Sequence, residues 1–356
     1  MFIKKKYLGI DISDYSVEVV CLVKDFPKPR ILGLARTMLW PGIFKNGRLV
    51  EKKQFQKILK DLLKNPDMGK MEASTAIISI PEQESFILNC SFPATEKKDK
   101  ANAYIAAKVK ESFPYLLDEL VYDHQFLNGN VFIAAVPKGI VSDYVNAIKS
   151  CRIKPIAIET ESVSLNRALL KTDKTVLAVD IGANVSSFIV FNKGKLQQSF
   201  SAPIGGNNFT KALSIKLNIS DKKAEDLKQK FGLDPEPEEG RVFLILQKEV
   251  NQIILEIKKI EDYFAEEFSQ SIEKIIIFGG SSFLPFLAHY LSENLQKPVE
   301  ILDPLEKVDA SILKRIEHAR NARKLNPVIY TTAIGLALRG FEKNPKRSAI
   351  NLLSSR

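Results

Sequence analysis

One arrangement occurs twice in this chain and limits its fold more than any other feature. The run YLGIDISDYSVEVVCLV, Tyr7 to Val23, reads as an apolar strand, a turn at Gly9-Ile10-Asp11-Ile12 and a second strand. The run TVLAVDIGANVSSFIVF, Thr175 to Phe191, repeats it with Asp180 in the place of Asp11. Each run continues into a third strand, the first through RILGLARTML (Arg30 to Leu39), so each half opens as an antiparallel meander. A carboxylate inside an apolar strand is costly unless something pairs with it. One such aspartate reads as the cap of a turn. Two at matching places in repeated halves point to an internal duplication and a shared task.

The length of 356 residues exceeds one ordinary core and favours two lobes. With 45% apolar and 26% charged residues, the composition is that of a soluble globular protein. No apolar run approaches the roughly 18 residues of a membrane span. Lys4-Lys5-Lys6 leads into a strand with Asp11 rather than into a signal sequence. Cys21, Cys90 and Cys151 show no CxxC spacing and read as reduced core residues of a cytosolic chain. His124, His289 and His318 are isolated, which argues against zinc or histidine-based chemistry. The net charge of +10 is scattered and not interleaved with aromatics. It reads as a solvated basic surface or as residence beside an anionic inner leaflet, not as a specific nucleic-acid site.

Between the meanders the periodicity switches several times. Gln54 to Lys64 is an amphipathic helix and Ser74 to Pro81 a strand. Glu82 to Pro155 reads as a β-α-β-β-α block with a hairpin at Asn128-Gly129-Asn130, the size of an inserted subdomain. The second meander is followed by helices at NNFTKALSIKLNI and SDKKAEDLKQKFG, the latter between an N-cap Ser220 and a stop at Gly232. Arg241 to Phe268 is a long helix with apolar residues in 4-3 spacing, read as packed within its lobe with a coiled coil as the other reading. Ile275 to Ser282 is a strand running into Gly279-Gly280, with Phe283 to Leu291 helical.

The backbone amides of the two Asp turns suit a phosphate, and the two carboxylates suit a hydrated Mg²⁺ that bridges phosphates. A flat base or ribose can lie against the bare backbone of Gly279-Gly280.

Gly9-Ile10-Asp11, Val179-Asp180-Ile181-Gly182, Pro203-Ile204-Gly205-Gly206 and Phe278-Gly279-Gly280-Ser281 resemble the motifs of the actin-like ATPase superfamily. Within it, AAVPKGIVSDYVNAIKSCRIKPIAIETESVSLNRAL, APIGGNNFTKAL, AEDLKQKFG and AIGLALRG are similar to the PilM family of type IV pilus assembly proteins, over nearly the whole chain. The resemblance implies an α/β, two-lobed actin-like fold, a duplicated ribonuclease H-like core with the inserted subdomain that PilM shares with FtsA. It implies a first lobe core at 1–81, completed by 156–173 and 326–356, and the insert at 82–155. It places the second lobe core at 174–205 and 269–325, and its helical part at 206–268.

The resemblance further implies ATP and Mg²⁺, with Asp11 and Asp180 holding the metal through water. Ser13-Asp14-Tyr15 and Gly182-Ala183-Asn184 would be the phosphate loops. Gly205, Gly206, Gly279, Gly280 and Ser281 would line the nucleotide, and Glu225 and Lys228 would reach ribose and base. Glu161 matches a water-orienting acid, although as a bare feature it is a helix N-terminal charge. The chain departs from the family where Ser13-Asp14 replaces a glycine and a small hydroxyl residue, which puts a negative charge where phosphate would approach.

The implied role is a cytoplasmic adaptor, peripheral at the inner membrane, that binds the N-terminal peptide of a PilN-like membrane protein and pilus motor ATPases, and is at most a slow ATPase. The other readings are an FtsA-like filament protein, for which the segment after Phe341 offers no long amphipathic helix, and a small-molecule kinase of the same fold. Ile350-Asn351-Leu352-Leu353 resembles the partner motif of the family and raises two expectations: packing on the chain's own first lobe, or self-association in a neighbour's groove.

Overall fold

In a computed structural model, which describes residues 4–45, 47–92, 101–127, 129–169, 172–313 and 326–353, the first repeated run folds as β1 (Lys6–Ile12) and β2 (Ser16–Val23). They pair antiparallel with Asp11 opposite Glu18, and β3 (Arg30–Met38) pairs with β2. Every residue of β2 is buried, which explains why its sequence runs apolar on both faces from Val19 to Val23; the buried Glu18 is met by Arg36, whose Nε donates to Glu18 Oε1 at 2.7 Å. A small ribbon of β4 (Phe44–Lys45) and β5 (Arg48–Leu49) follows, then α1 (Lys52–Lys64), the short β6 (Met68–Gly69) and β7 (Thr75–Ile80).

The expected inserted block is β8 (Phe86–Ser91), α2 (Ala101–Ser112), β9 (Leu120–Leu127), β10 (Asn130–Pro137) and α3 (Lys138–Ser150). Its three-stranded sheet, in the order β8-β10-β9, builds a core with α2 from Ala101, Ile105, Val109, Val131 and Ile133. The main sheet resumes with β11 (Lys154–Thr160), followed by α4 (Glu161–Ala168).

The second repeated run folds as β12 (Thr175–Ile181), β13 (Ser186–Asn192) and β14 (Lys195–Ala202). Then come α5 (Gly206–Leu217), α6 (Asp221–Phe231), α7 (Arg241–Phe268), β15 (Lys274–Phe278), α8 (Leu287–Leu295) and β16 (Val299–Ile301). The duplication extends to topology, with the short β6 as an added edge strand of the first sheet. One sheet runs β11-β7-β1-β2-β3-β6 and the other β16-β15-β12-β13-β14. In each, the first strand of the meander pairs in parallel with a strand that arrives much later in the chain, β7 or β15.

Two compact units result, 1–170 with 303–356, and 171–302. Residues 303–313, expected in the second unit, lie with the first, where Asp309 pairs in parallel beside Arg30 (Asp309 N to Pro29 O 2.8 Å, Ile31 N to Asp309 O 3.0 Å). Within the second unit, Leu246, Val250, Ile253, Ile257, Ile260 and Phe264 of α7 lie in the core, so the 4-3 spacing serves packing inside the unit. Helix α8 starts at Leu287 rather than at Phe283, since Phe286 takes a left-handed φ of 63°. His318, Asn128 and Ser354 to Arg356 lie outside the described residues.

The last helix, α9 (Thr331–Arg339), packs on the first sheet through Ala333, Ile334 and Ala337. It comes so close to β1 that a Cβ at Gly9 would lie 1.9 Å from the carbonyl oxygen of Ala333 and 2.6 Å from the amide of Ala337. Backbone atoms cannot rotate away, so Gly9→Ala should cost about 3 kcal/mol. Gly139 has nothing within 4 Å of such a Cβ and lies in α3, so Gly139→Ala should be neutral or stabilising by under about 1 kcal/mol. Urea unfolding of both variants measures the contrast.

Candidate functional site

The second unit gathers most of the candidate residues into one hydrogen-bonded cluster. Asp180 is the sixth residue of β12 and lies opposite Phe278, the last residue of β15. The next residue, Gly279, has φ +84°, and a Cβ there would lie 2.0 Å from Asp180 Oδ1. Only glycine lets the chain turn so tightly against that carboxylate. Ser281 then folds back, its N–H donating to Ile181 O (3.0 Å) and its hydroxyl to Gly182 O (3.2 Å). The loop Gly182-Ala183-Asn184 is fastened to the start of α5. Gly206 N donates to Gly182 O (2.9 Å), Asn207 N to Ala183 O (2.8 Å) and Asn207 Nδ2 to Asn184 Oδ1 (2.8 Å). Gly205 donates its N–H to Asn208 Oδ1 at 2.9 Å.

Glu225 and Lys228, three residues apart on α6, meet this cluster through Thr210 of α5. The buried Lys228 Nζ donates to Gly206 O (3.0 Å), to Thr210 Oγ1 (2.8 Å) and to Glu225 Oε2 (2.7 Å). Thr210 Oγ1 also donates to Glu225 Oε2 at 2.5 Å. Burial works to raise the Glu225 carboxyl, but the hydrogen bonds from Lys228, Thr210 and Gln229 outweigh it and hold the group below the usual carboxylate range. Gly280 is open, with nothing within 4 Å of a Cβ placed on it. Thr210 was missed in the sequence, although its place four residues after Gly206 puts both on one helix face.

The first unit treats its half of the motif differently. Asp11 Oδ1 accepts from the Ser79 hydroxyl of β7 at 2.5 Å, and Ser79 Oγ accepts from Ile12 N at 3.3 Å. A hydroxyl inside the apolar run AIISI, Ala76 to Ile80, was the available signal for Ser79. Three donors of the loop are spent inside it: Ser13 N donates to Ser16 O (3.0 Å), and Tyr15 N and Ser16 N donate to Ser13 Oγ (3.3 and 3.0 Å).

Asp14 is not left facing its own loop, as the sequence suggests. Its Oδ2 accepts from Gly47 N at 3.1 Å in the β4–β5 ribbon, while its Oδ1 is buried without a hydrogen-bond partner. Burial raises the Asp14 carboxyl, partly offset by that Gly47 hydrogen bond. Glu84 is close by. Burial and the Asp14 charge push its carboxyl up to about 7, against the pull of Arg48.

Glu161 is the first residue of α4, and Glu82 meets it in a reciprocal clamp. Glu161 Oε2 accepts from Glu82 N (3.2 Å) and Glu82 Oε2 accepts from Ser162 N (3.1 Å). That arrangement fastens a helix N-terminus to the entry of the inserted block.

Among the described residues no group of three or more histidine, cysteine, aspartate or glutamate side chains is placed to hold a metal. A cation held by Asp180 or Asp11 would therefore take its remaining ligands from water and phosphate, the coordination Mg²⁺ favours.

Comparison with known proteins follows the same lines. The sequence profile of the type IV pilus assembly protein PilM matches residues 9–341. The cell division protein FtsA of Bacillus subtilis is 25% identical over 189 residues, 47% of this chain and 43% of FtsA. FtsA of Buchnera aphidicola subsp. Acyrthosiphon pisum is 24% identical over 243 residues, 60% of this chain and 55% of FtsA. The chain thus spans about half the length of the curated relatives it matches.

Among solved structures, a PilM-PilN type IV pilus biogenesis complex superposes with a TM-score of 0.79 at 21% identity, covering 94% of this chain and 98% of the other. MreB5 of Spiroplasma citri bound to AMPPNP gives 0.51 at 13% identity, over 95% of this chain and 96% of MreB5. The fold is the two-lobed actin-like one.

The Asp14–Glu84 pair sets a pH dependence. Glu84 binds its proton more tightly folded (about 7) than at the ordinary 4.5, so between those values stability falls as pH rises. Glu84→Gln should flatten this slope and stabilise the chain at pH 7.5 by about 1 kcal/mol, since solvent screens the partly exposed pair. Urea midpoints at pH 5 and 7.5 measure it; a wild-type midpoint higher at pH 7.5 overturns it.

Proposed function

This chain belongs to the PilM family of type IV pilus assembly proteins, and on that premise we propose that it is a nucleotide-binding adaptor that docks the N-terminal peptide of a PilN-like membrane protein. The observation that carries the nucleotide half is the convergence in the second unit. Asp180 lies against bare Gly279 backbone, and the Lys228–Thr210–Glu225 triad lies beside Gly206. This combination suits an anionic ligand with hydroxyl groups. Asp180 would hold Mg²⁺ through water, Gly279, Gly280 and Ser281 would face the nucleoside, and Glu225 and Lys228 would reach the ribose. The cation would neutralise phosphate charge; the chain's own groups would bind and orient the nucleotide.

The first unit supports binding over turnover. The donors of Ser13, Tyr15 and Ser16 are committed to their own loop, and Glu161 is engaged with Glu82. ATP then acts as a structural ligand that stabilises the folded state by mass action. In calorimetry, Mg-ATP should bind with turnover below about one per minute, a barrier of roughly 20 kcal/mol. Asp180→Ala should abolish binding and Lys228→Met weaken it at least tenfold, with native circular dichroism retained. Unchanged affinity in Asp180→Ala would reject the site.

The partner half rests on the inserted block. No strand covers the outer edge of β8 among the described residues, and an extended peptide adds readily to such an edge. No described helix is long and apolar enough to cross a membrane; in this reading the docked peptide links the chain to the inner membrane. Pilus motor ATPases remain further proposed partners. With isotope-labelled protein, a PilN-type N-terminal peptide should shift amides within 82–155. Shifts confined to 171–302 would place docking elsewhere.

A further inference from the structure

Ile350 and Leu352 are fully buried on the first unit, which corrects the expectation of an exposed self-association segment. The bare apolar surface lies elsewhere. Among the described residues the most exposed large apolar side chain is Phe26, at 93%. It sits in the connection Lys24 to Pro29 between β2 and β3, which close on each other with Val23 opposite Arg30. Strand β1 begins at the same end of the sheet, with Lys6 opposite Val23, so Lys4 and Lys5 lie beside this connection.

The connection is fastened at its base and bare at its tip. Lys24 N donates to Lys5 O at 2.9 Å, and Pro29 O accepts from Asp309 N at 2.8 Å. Asp25 Oδ1 accepts from Lys4 Nζ and from Phe26 N, both at 3.1 Å, and Asp25 Oδ2 from Arg30 Nε at 3.2 Å. The bonds from Lys4 and Arg30 hold the Asp25 carboxyl below the usual carboxylate range. Pro27 and Pro29 each fix a φ. The loop thus presents its phenyl ring already ordered, which lowers the entropy lost on contact. Around the ring, Lys4, Lys5, Lys24 and Lys28 are exposed and Arg30 is half-buried. The acids beside the tip are Asp25, Glu306 and Asp309; Lys28 Nζ donates to Glu306 O at 2.5 Å, and Lys307 follows Glu306. The balance around Phe26 is basic.

We propose that the β2–β3 tip contacts an anionic bilayer surface directly, with Phe26 entering the boundary between headgroups and acyl chains and Lys4, Lys5, Lys24 and Lys28 lying at the phosphates. Apolar burial and charge attraction add at such a surface. A single projecting ring suits a fluid interface, which yields to it; a packed protein surface would need a matching recess. One ring and a few cations give a weak, reversible contact. It acts as a second signal beside any other attachment, and tethering at one point raises the effective concentration of the other. The proposal does not rest on the nucleotide or peptide readings above.

The test is flotation of the full chain, without peptide or nucleotide, with vesicles of equal parts phosphatidylglycerol and phosphatidylcholine or of phosphatidylcholine alone. At low salt the chain should bind the anionic vesicles at least about tenfold more tightly than the neutral ones, and high salt should release it. Phe26→Ser should weaken binding at least about fivefold. Lys24→Glu with Lys28→Glu should weaken it at least about 25-fold, since each cation near the surface contributes roughly fivefold. Lys53→Glu with Lys57→Glu, exposed on α1, changes the net charge equally and should leave affinity within about twofold. All these side chains are exposed, so the variants keep the native fold. Phe26→Trp with Trp40→Phe moves the single tryptophan to the tip, and its emission should shift to the blue with anionic vesicles only. Equal losses from the two charge pairs, or emission that keeps its aqueous wavelength, would overturn the proposal. Binding to polyglutamate with none to vesicles would make the tip a protein contact and overturn it as well.

Discussion

A carboxylate near the end of an apolar strand is the constraint around which both units are built. Asp11 and Asp180 are each the sixth residue of a seven-residue strand, with buried neighbours on either side. Each needs a polar partner where the strand leaves the core. The two copies meet that need by different means. In the first unit a hydroxyl from the adjacent parallel strand, Ser79, donates to Asp11. In the second, Gly279, the residue that follows the adjacent parallel strand, brings bare backbone up to Asp180. Five strands follow the same order in both sheets, with β6 added at the edge of the first, so the difference between the two aspartates lies in side chains and not in topology.

That difference accounts for the unequal sites. The loop after Asp180 is fastened outward, to α5 and to Ser281, and its neighbours Lys228, Thr210 and Glu225 form a satisfied charged cluster. The loop after Asp11 is fastened inward on Ser13, and Asp14 is turned to the Gly47 ribbon. A buried carboxylate oxygen with no hydrogen-bond partner, at Asp14 Oδ1, and a neighbouring Glu84 pushed up to about 7 show that this corner stores unfavourable electrostatics at neutral pH. Duplicated halves of one fold thus differ, one holding a hydrogen-bonded charged cluster and one a tied-down loop.

The first unit has a second polar centre that ties distant segments together. Glu159 is fully buried and pairs with both Arg167 of α4 and Arg339 of α9. Burial lowers the two arginines, to about 9 and about 10, against the raising effect of Glu342. Removing Glu159 would leave two guanidinium groups in a desolvated site, the situation in which a broken buried pair costs most. Arg339 extends the network to the carbonyls of Pro345, Ala349 and Ile350, so the end of the last helix, the edge of the sheet and residues 345–350 form one polar assembly.

Much of this was legible along the chain. Periodicity alone located the meanders, the inserted β-α-β-β-α block, α7 and the Gly279 turn, because each depends on local alternation or on glycine. Repetition of the Asp turns announced the duplication that the two sheet orders display. Contacts between residues far apart in sequence were not legible. No local pattern says that Asp14 turns to Gly47, that Glu161 and Glu82 clamp each other, that Asp309 pairs beside β3, or that Asn351 completes the edge of β11. The sequence by itself determined which segments become strands and helices and which residues carry charge. Only the tertiary structure decided which charges meet, because a polar group entering a desolvated interior takes the nearest partner the packing offers, whatever its distance along the chain.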